Sequence, residues 1–250
     1  MPEFESESIV LKSFNLAEAD RIVVFLTQEH GIVRGVAKGA KRLKSRFGST
    51  LEPFSTVQLS YFQKDDRELV SIQSVELIRS RFEAASEPAF LQTFSYIAEL
   101  LVAFVPPHDP NETLYRMVRS CIDAGGENIA DLAAVGVYFE LWLLRLGGYL
   151  PDWIVCRECG RRLTDKDSAS LQSTFALFCG TCQNGRGRTQ ITNLHREIFS
   201  NVQKLPPVGF IEYARPFPES VAELSAVMKR IAAHVIGREV VGEKSLAVRL

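Results

Sequence analysis

The sequence of 250 residues predicts an α+β protein in which a small β-barrel comes first and α-helices follow. Up to about residue 80, short β-branched and aromatic runs alternate with turn residues, a pattern typical of short strands. Beyond that point, apolar residues recur at intervals of three and four, which indicates helices. Two close pairs of cysteines interrupt the helical part, and they predict a small metal-binding module within it.

Five strands are predicted in the N-terminal part, each bounded by polar residues or glycine. They are Ile9–Phe14, Arg21–Thr27, Ile32–Ala37, Thr56–Tyr61 and Leu69–Leu77. The strand beginning at Thr56 alternates between apolar and polar residues, which indicates burial on one face. In the last strand the alternation slips at Gln73 and Ser74, which indicates a β-bulge. Five short strands with turns between them favour a small barrel.

Helical spacing starts near Pro88. Apolar residues lie three and four positions apart in two groups: Phe90, Phe94, Ile97, Leu101 and Phe104, then Leu132, Val135, Phe139, Trp142 and Leu146. Pro106 and Pro107 break the chain between the two predicted helices, and Gly147 with Gly148 ends the second. Two further helices are predicted over residues 193–203 and 219–236.

Four of the five cysteines form two C-x₂-C pairs separated by residues 160–178. The predicted ligands are Cys156, Cys159, Cys179 and Cys182. This spacing predicts one structural Zn²⁺ with no open coordination position. Three nearby arginines are expected to offset its negative charge: Arg157, Arg161 and Arg162. The alternatives are four buried cysteines or two redox pairs, and Cys121 is interpreted as a buried apolar residue.

Between Glu29 and Glu52 the chain has no acidic residue, and six basic residues fall in that interval. They are Arg34, Lys38, Lys41, Arg42, Lys44 and Arg46. Glycines among them indicate a partly mobile loop leaving a strand, which can follow a nucleic-acid backbone. If all six contact phosphates, the slope of log affinity against log salt is about −4 for single strands. The alternative is a solvated loop at a sheet edge, where lysine opposes aggregation.

Four aromatic residues close to this run are candidates for base stacking, although each residue of this kind is more often in a core. They are Phe14, Phe47, Phe54 and Tyr61. A second basic stretch contains Arg186 and Arg188 and ends near His195 and Arg196. It either adds phosphate contacts or forms a solvated linker after the cysteine module.

The composition excludes several classes of protein. Lys and Arg number 29 against 30 Asp and Glu, and 46% of residues are apolar, so a disordered, collagen-like or coiled-coil chain is excluded. The N-terminal residues are acidic, and no apolar run approaches the ~20 residues of a membrane span, so a cytosolic protein is expected. The net charge of −1 argues against nucleic-acid binding by bulk charge and leaves binding at one patch.

No recognised catalytic motif occurs in the chain. A P-loop, a dinucleotide-binding glycine motif, a nucleophile elbow and a zinc-protease helix are all missing. The four histidines are scattered and are interpreted as surface or capping residues: His30, His108, His195 and His234. Asp65 and Asp66 are interpreted as a turn and not as a metal-binding pair. The sequence therefore predicts no enzyme.

Five short motifs follow one another in order along nearly the whole chain. They are Ala37–Arg42, Leu51–Phe54, Phe139–Leu144, Leu146–Tyr149 and Cys156–Gly160. In these motifs and in their order, the chain resembles the RecO family of bacterial recombination-mediator proteins. The resemblance implies an OB-fold over residues 1–80, and an α-helical domain over residues 81–250 that contains a zinc module at residues 153–183.

The resemblance also implies a function without catalysis. It implies binding to single- and double-stranded DNA, annealing of complementary strands without ATP, and loading of the recombinase RecA. The implied partners are RecR and the single-stranded DNA-binding protein, and the implied location is the bacterial cytoplasm, in association with the nucleoid.

Other functions stay open on the residues alone. A zinc-ribbon protein associated with RNA or transcription would also use the basic loop, and it would prefer structured RNA over single-stranded DNA. A protein-interaction scaffold would have no DNA affinity and would lose its partners when zinc is chelated. An enzyme would show turnover that survives mutation of the loop.

Overall fold

The computed structural model describes residues 2–64, 68–150, 152–183 and 189–240. They group into two compact units, one that ends at Glu127 and a second that runs Asn128–Val240. The division into domains between residues 80 and 81 stays a prediction. In the structure, the helices just after the barrel group with it in the first unit. The predicted turn at Asp65 and Asp66 lies outside the described residues. No helix in the described ranges is long and apolar enough to span a membrane.

The first unit contains a closed five-stranded barrel. Its strands are β1 (Glu3–Asn15), β2 (Arg21–Thr27), β3 (Gly31–Ala37), β4 (Thr56–Phe62) and β5 (Val70–Arg79). The order around the barrel is β1-β2-β3-β5-β4, with β1 paired to β4 to close it and β3 parallel to β5. This is the strand arrangement of the OB-fold. The predicted fold class, a barrel followed by helices, is confirmed.

The slip predicted in the last strand is a bulge at Gln73. Ser60 on β4 pairs with Ser74, and the next residue, Tyr61, pairs with Ile72, so Gln73 is left without a partner. Strand β1 contains a second bulge, which was not predicted. Val10 pairs with Phe25 and Lys12 pairs with Val24, so Leu11 is the extra residue. Extra residues of this kind bend a strand and increase its twist, which helps five short strands to close.

Strand β4 is more deeply buried than its alternation predicts. Val57, Leu59 and Tyr61 belong to the barrel core, as expected. Thr56 and Ser60, on the other face, are also buried, and Ser60 Oγ donates a hydrogen bond to Glu3 Oε1 at 2.9 Å. The prediction of burial on one face is therefore wrong for this strand. A polar side chain can be buried when a neighbour accepts its hydrogen bond, as Glu3 does for Ser60.

Three helices complete the first unit: α1 (Phe82–Ser86), α2 (Pro88–Phe104) and α3 (Glu112–Ala124). Helix α2 begins with proline at its first position, as helices often do. Its buried face includes Phe90 and Phe94. Phe54, from the segment before β4, packs against both, with its ring centre 6.1 and 5.6 Å from theirs. Helix α3 is held to β1 by Glu7, whose carboxylate accepts hydrogen bonds from Tyr115 and Arg119.

The second unit is built around α4 (Ile129–Leu146). The other elements are β6 (Ala169–Leu171), β7 (Leu177–Cys179), β8 (Thr189–Ile191), α5 (Asn193–Val202), α6 (Pro207–Ala214) and α7 (Pro218–Ile236). Helix α4 ends before Gly147, as predicted, and the indole of Trp142 donates to the Val202 carbonyl at 3.0 Å. Leu146 is exposed, so the apolar face of α4 ends one turn earlier than its spacing predicts. Helix α6 and the three-stranded sheet were not predicted.

Gly31→Ala is expected to lower the free energy of unfolding by about 2–3 kcal/mol. Gly31 has φ of +67°, and a Cβ built there lies 2.4 Å from the backbone oxygen of Asp109. Both a strained backbone and a clash with main-chain atoms oppose alanine. Urea unfolding followed by circular dichroism measures the change. Gly126→Ala is the matched control, since its Cβ meets no atom within 4 Å. An equal loss in both variants would contradict the prediction.

Candidate functional site

The four predicted metal ligands come together in the second unit. Their Sγ atoms all lie within 4.8 Å of one another. Cys156 and Cys179 are buried, Cys182 is partly buried, and Cys159 is exposed. In a tetrahedral site with Zn–S bonds of about 2.3 Å, sulfur atoms lie about 3.8 Å apart, so the cluster fits one such ion. Convergence on one point is the arrangement of a metal site and differs from two separate redox pairs.

Backbone hydrogen bonds shape the turn that carries each pair. In the first turn, the Gly160 amide donates to the Cys156 carbonyl at 2.9 Å, and Gly160 has φ of +67°. In the second turn, the amides of Cys182 and Gln183 donate to the Cys179 carbonyl at 2.9 and 3.0 Å. The two turns are joined by the Cys179 amide, which donates to Cys156 Sγ at 3.4 Å. These hydrogen bonds thus place the two pairs of thiols beside each other.

One arginine contacts the thiol cluster directly. The side chain of Arg161 hydrogen-bonds to Cys179, and this contact is the main cause that raises the pKa of Arg161. The pKa of Cys179 falls to about 6, first because the Cys182 amide donates to it, with the Arg161 contact adding to the effect. Of the three arginines predicted to offset the charge of the metal site, Arg161 is the one for which a contact with a thiol is found among the described residues. At Cys179 this lowered pKa favours the thiolate that binds metal, whereas the hydrogen bond that Cys182 makes with Cys179 raises the pKa of the Cys182 thiol to about 12.

The cysteine module is anchored to α5 through a short polar chain. Arg161 donates to the Asp167 carboxylate at 2.7 Å, and the same carboxylate accepts from the Thr164 amide at 2.7 Å. Arg196 on α5 donates to the Thr164 carbonyl at 2.8 Å. Hydrogen bonds of this kind around metal ligands fix the ligands in place.

The second basic stretch does not present its last two residues to solvent. His195 and Arg196 are buried. His195 completes a capping box at the start of α5 with Thr192, and its Nε2 lies 3.0 Å from the Glu223 carboxylate. Arg196 is used within the module and is therefore not placed to contact phosphates. Arg186 and Arg188, the rest of the stretch, lie outside the described residues.

The segment between β3 and β4 carries most of the predicted basic residues and caps the barrel as a series of turns. The Arg42 amide donates to the Gly39 carbonyl at 3.1 Å, and the Ser45 amide donates to the Arg42 carbonyl at 2.9 Å. Further along, Phe47 and Leu51 enter the barrel core. The backbone of the segment is therefore anchored at both ends while the charged side chains stay outside.

Two of the six predicted residues are engaged by the barrel. Arg34 forms an ion pair with Glu68 at 3.2 Å. Arg46 donates to the Ile72 carbonyl at 3.1 Å, and its guanidinium lies 4.9 Å from the centre of the Phe47 ring. The other four are exposed, and no ion pair with a described acidic residue is found for them: Lys38, Lys41, Arg42 and Lys44. Among these four, Lys41 Nζ donates a hydrogen bond to the Ala17 carbonyl at 3.4 Å. We call residues 38–44 the basic turn.

Most of the candidate stacking residues are in the core. Phe47, Phe54 and Tyr61 are at most 2% exposed, and burial raises the pKa of Tyr61 to about 12. Phe14 is 38% exposed and remains available to a ligand. Three of the four candidates thus serve in packing: Phe47 and Tyr61 in the barrel core, and Phe54 against helix α2.

The basic turn rests on the β1–β2 loop, residues 16–20, which the sequence did not single out. The Lys41 amide donates to the Ala19 carbonyl at 2.9 Å, and the Gly39 amide donates to Asp20 Oδ1 at 2.8 Å. In OB-folds the corresponding loop is one of those that bind oligonucleotides. The composition of the loop gives no indication of such a role, so the loop becomes a candidate only through its position in the barrel.

Comparison with known proteins agrees with this geometry. The model described as "Recombination protein O N terminal" matches residues 1–81, and the one described as "Recombination protein O C terminal" matches residues 92–237. The chain is 32% identical over 163 residues to the DNA repair protein RecO of Koribacter versatilis, covering 65% of this chain and 66% of that protein.

Two further relatives carry the same name. The DNA repair protein RecO of Syntrophotalea carbinolica is 32% identical over 189 residues, which cover 74% of this chain and 71% of the relative. That of Bifidobacterium adolescentis is 34% identical over 185 residues, which cover 72% of each chain. The matches thus include both the barrel and the helical part.

Proposed function

Because this chain belongs to the RecO family of DNA repair proteins, we propose that it is a recombination mediator that binds DNA through the basic turn and anneals complementary strands without ATP. The observation that supports this most directly is the set of four exposed cations on an OB-fold barrel, with no described acidic partner. Phosphate contacts hold a strand in place without reading its sequence.

The proposed mechanism needs only positioning and charge. Lys38, Lys41, Arg42 and Lys44 would bind the phosphates of one strand and lower the repulsion that a second strand meets. Two complementary strands held close in this way pair faster, because their approach is no longer opposed by the full backbone charge. No bond is made or broken in the process, and both single- and double-stranded DNA would be bound.

The cysteine cluster would hold one structural Zn²⁺ in this protein. Its four sulfur atoms fit the tetrahedral geometry, and four protein ligands leave no position for substrate or water. When bound, the ion would cross-link the two turns of the module. Arg161 would offset part of the charge of the four thiolates through its contact with Cys179.

Family membership also supports partners and a place of action. We propose that the protein helps to load RecA together with RecR, that it contacts the single-stranded DNA-binding protein, and that it acts in the bacterial cytoplasm at the nucleoid. The division into an OB-fold domain over residues 1–80 and a helical domain over residues 81–250, with the zinc module at 153–183, belongs to the same proposal.

An annealing assay tests the proposed function. Two complementary oligonucleotides are mixed without nucleotide, and duplex formation is followed by energy transfer between dyes at their ends. The protein is expected to accelerate pairing at least tenfold, since local strand concentration rises when both are held on one surface. A structured RNA of equal length is the comparison, and tighter binding to it than to single-stranded DNA would favour the zinc-ribbon RNA-binding function. Unchanged annealing would contradict the proposal.

A further inference from the structure

Leu43 lies in the middle of the basic turn and is fully in water. Leu43 is fully exposed, more so than any other large apolar residue in the described part of the chain. It is flanked directly by Arg42 and Lys44, and Lys38 and Lys41 precede it. A single exposed leucine is common on protein surfaces, but this one stands at the centre of a cluster of cations that have no described acidic partner.

The surroundings of Leu43 are held by backbone hydrogen bonds. The Arg42 carbonyl accepts from the Ser45 amide at 2.9 Å, which closes a turn around Leu43. The same turn is tied to the β1–β2 loop by the Lys41 amide at 2.9 Å. That loop presents a second exposed apolar residue, Leu16, at 48% exposure. Two exposed apolar residues thus stand on two loops that hydrogen bonds connect, and Leu43 is the one within the run of four cations.

We propose that Leu43, with support from Leu16, contacts the faces of unstacked bases in single-stranded DNA, while the cations of the basic turn bind the phosphates on either side. The inference rests on the proposed function and adds a base-contacting residue to it. The two kinds of group match the two parts of a single strand, which carries a charged backbone and apolar base faces. Leucine inserted against base steps is a known device of proteins that open or bend nucleic acids.

Charge complementarity identifies this occupant over an apolar protein surface. A protein pocket for Leu43 would have to accept or neutralise four neighbouring cations, whereas a nucleic acid supplies negative charge along its whole length. In a duplex the base faces are stacked on one another and unavailable. The contact is therefore specific for single strands and for bases that have left the stack.

The test compares Leu43→Ala with the unchanged protein on two oligonucleotides. One is an ordinary single strand, and the other has the same length with abasic sites through its centre. Leu43→Ala is expected to weaken binding to the ordinary strand about fivefold, because part of a leucine side chain is no longer removed from water by a base. Binding to the abasic strand and to a duplex should change less than twofold. Fluorescence anisotropy at fixed salt measures all three affinities.

Two further variants make the comparison specific. Ile129→Ala removes the same kind of exposed aliphatic side chain from the start of α4, at 75% exposure, and should leave every affinity unchanged. Leu43→Phe keeps an apolar face and should restore binding to the ordinary strand. The slope of log affinity against log salt should be equal for Leu43→Ala and the unchanged protein, since no charge is lost.

The possible outcomes separate this inference from the function on which it rests. Equal weakening on ordinary and abasic strands, or none on either, would overturn the base contact, while a salt-dependent affinity of the unchanged protein would still support the proposed function. Failure of the unchanged protein to bind any DNA would overturn both. Loss of binding to a protein partner in Leu43→Ala, with DNA affinity unchanged, would assign Leu43 to a protein interface and overturn the inference.

Discussion

Replacing Lys38, Lys41, Arg42 and Lys44 together with glutamate is expected to lower the affinity for single-stranded DNA at least 100-fold at about 0.1 M salt. Each phosphate contact on a single strand releases roughly 0.7 of a counterion, so four contacts contribute almost three powers of ten at this salt concentration. Charge reversal adds repulsion to this loss. Anisotropy titrations of a labelled oligonucleotide measure the change.

The salt dependence gives a second, independent measure of the same residues. Four contacts predict a slope of about −3 for the unchanged protein, whereas the six basic residues of the sequence pattern predict about −4. Arg34 and Arg46 are assigned to the barrel because Glu68 and the Ile72 carbonyl already engage them. A slope near −4 that falls when Arg34 and Arg46 are neutralised would contradict this division.

The matched control reverses four exposed cations elsewhere, so that the net charge changes by the same amount. Suitable residues are Arg116, Lys166, Lys204 and Arg238. If DNA is bound at the basic turn and not through the net charge of the protein, this variant should lose less than fivefold in affinity. The four residues of the basic turn are exposed, so glutamate fits at each position, and the side-chain contact that is lost is the hydrogen bond from Lys41 Nζ to the Ala17 carbonyl at 3.4 Å. Equal losses in the two variants would show binding by bulk charge.

The sequence predicted features that depend on local pattern. Short β-branched and aromatic runs bounded by turn residues located the five barrel strands. The break in alternation located the bulge at Gln73, because side chains of a strand must point in turn to the core and away from it. The C-x₂-C spacing predicted the four clustered thiols, because such a turn brings its two sulfur atoms to one side. Helix α2 followed from apolar residues at helical intervals.

Features that depend on distant partners were not predictable in the same way. Nothing near Arg34 in the sequence indicates that Glu68 neutralises it, and nothing near Arg196 indicates that it turns inward to Thr164. Helix α6 is only Pro207–Ala214, too short for its spacing to stand out. Leu43 reads as one apolar residue in a basic run, and only the folded chain reveals that its side chain is left in water.

Cys156→Ser is expected to lower the zinc content from about one ion per chain to nearly none and to unfold the module between Trp153 and Gln183. Structural Zn²⁺ contributes about 10 kcal/mol or more to the folding of small domains, which exceeds what short strands of three residues supply by themselves. The sheet formed by β6, β7 and β8 has strands of this length. Elemental analysis and limited proteolysis measure the two effects.

The first unit should be unaffected by this change, because it contains its own barrel core and carries the basic turn. Affinity for single-stranded DNA is therefore expected to stay within twofold of the unchanged protein, which separates the structural role of the metal from DNA binding.

Two further variants test which groups the metal site depends on. Cys121→Ala removes a buried sulfur in α3 and should keep one zinc per chain at a cost of about 1–2 kcal/mol in stability. Arg161→Ala keeps all four ligands but removes the guanidinium from Cys179, and it should weaken zinc binding about tenfold in competition with a chelator. A metal-free protein whose module resists protease as well as the zinc-bound form would show that hydrogen bonds and packing alone hold the two turns together.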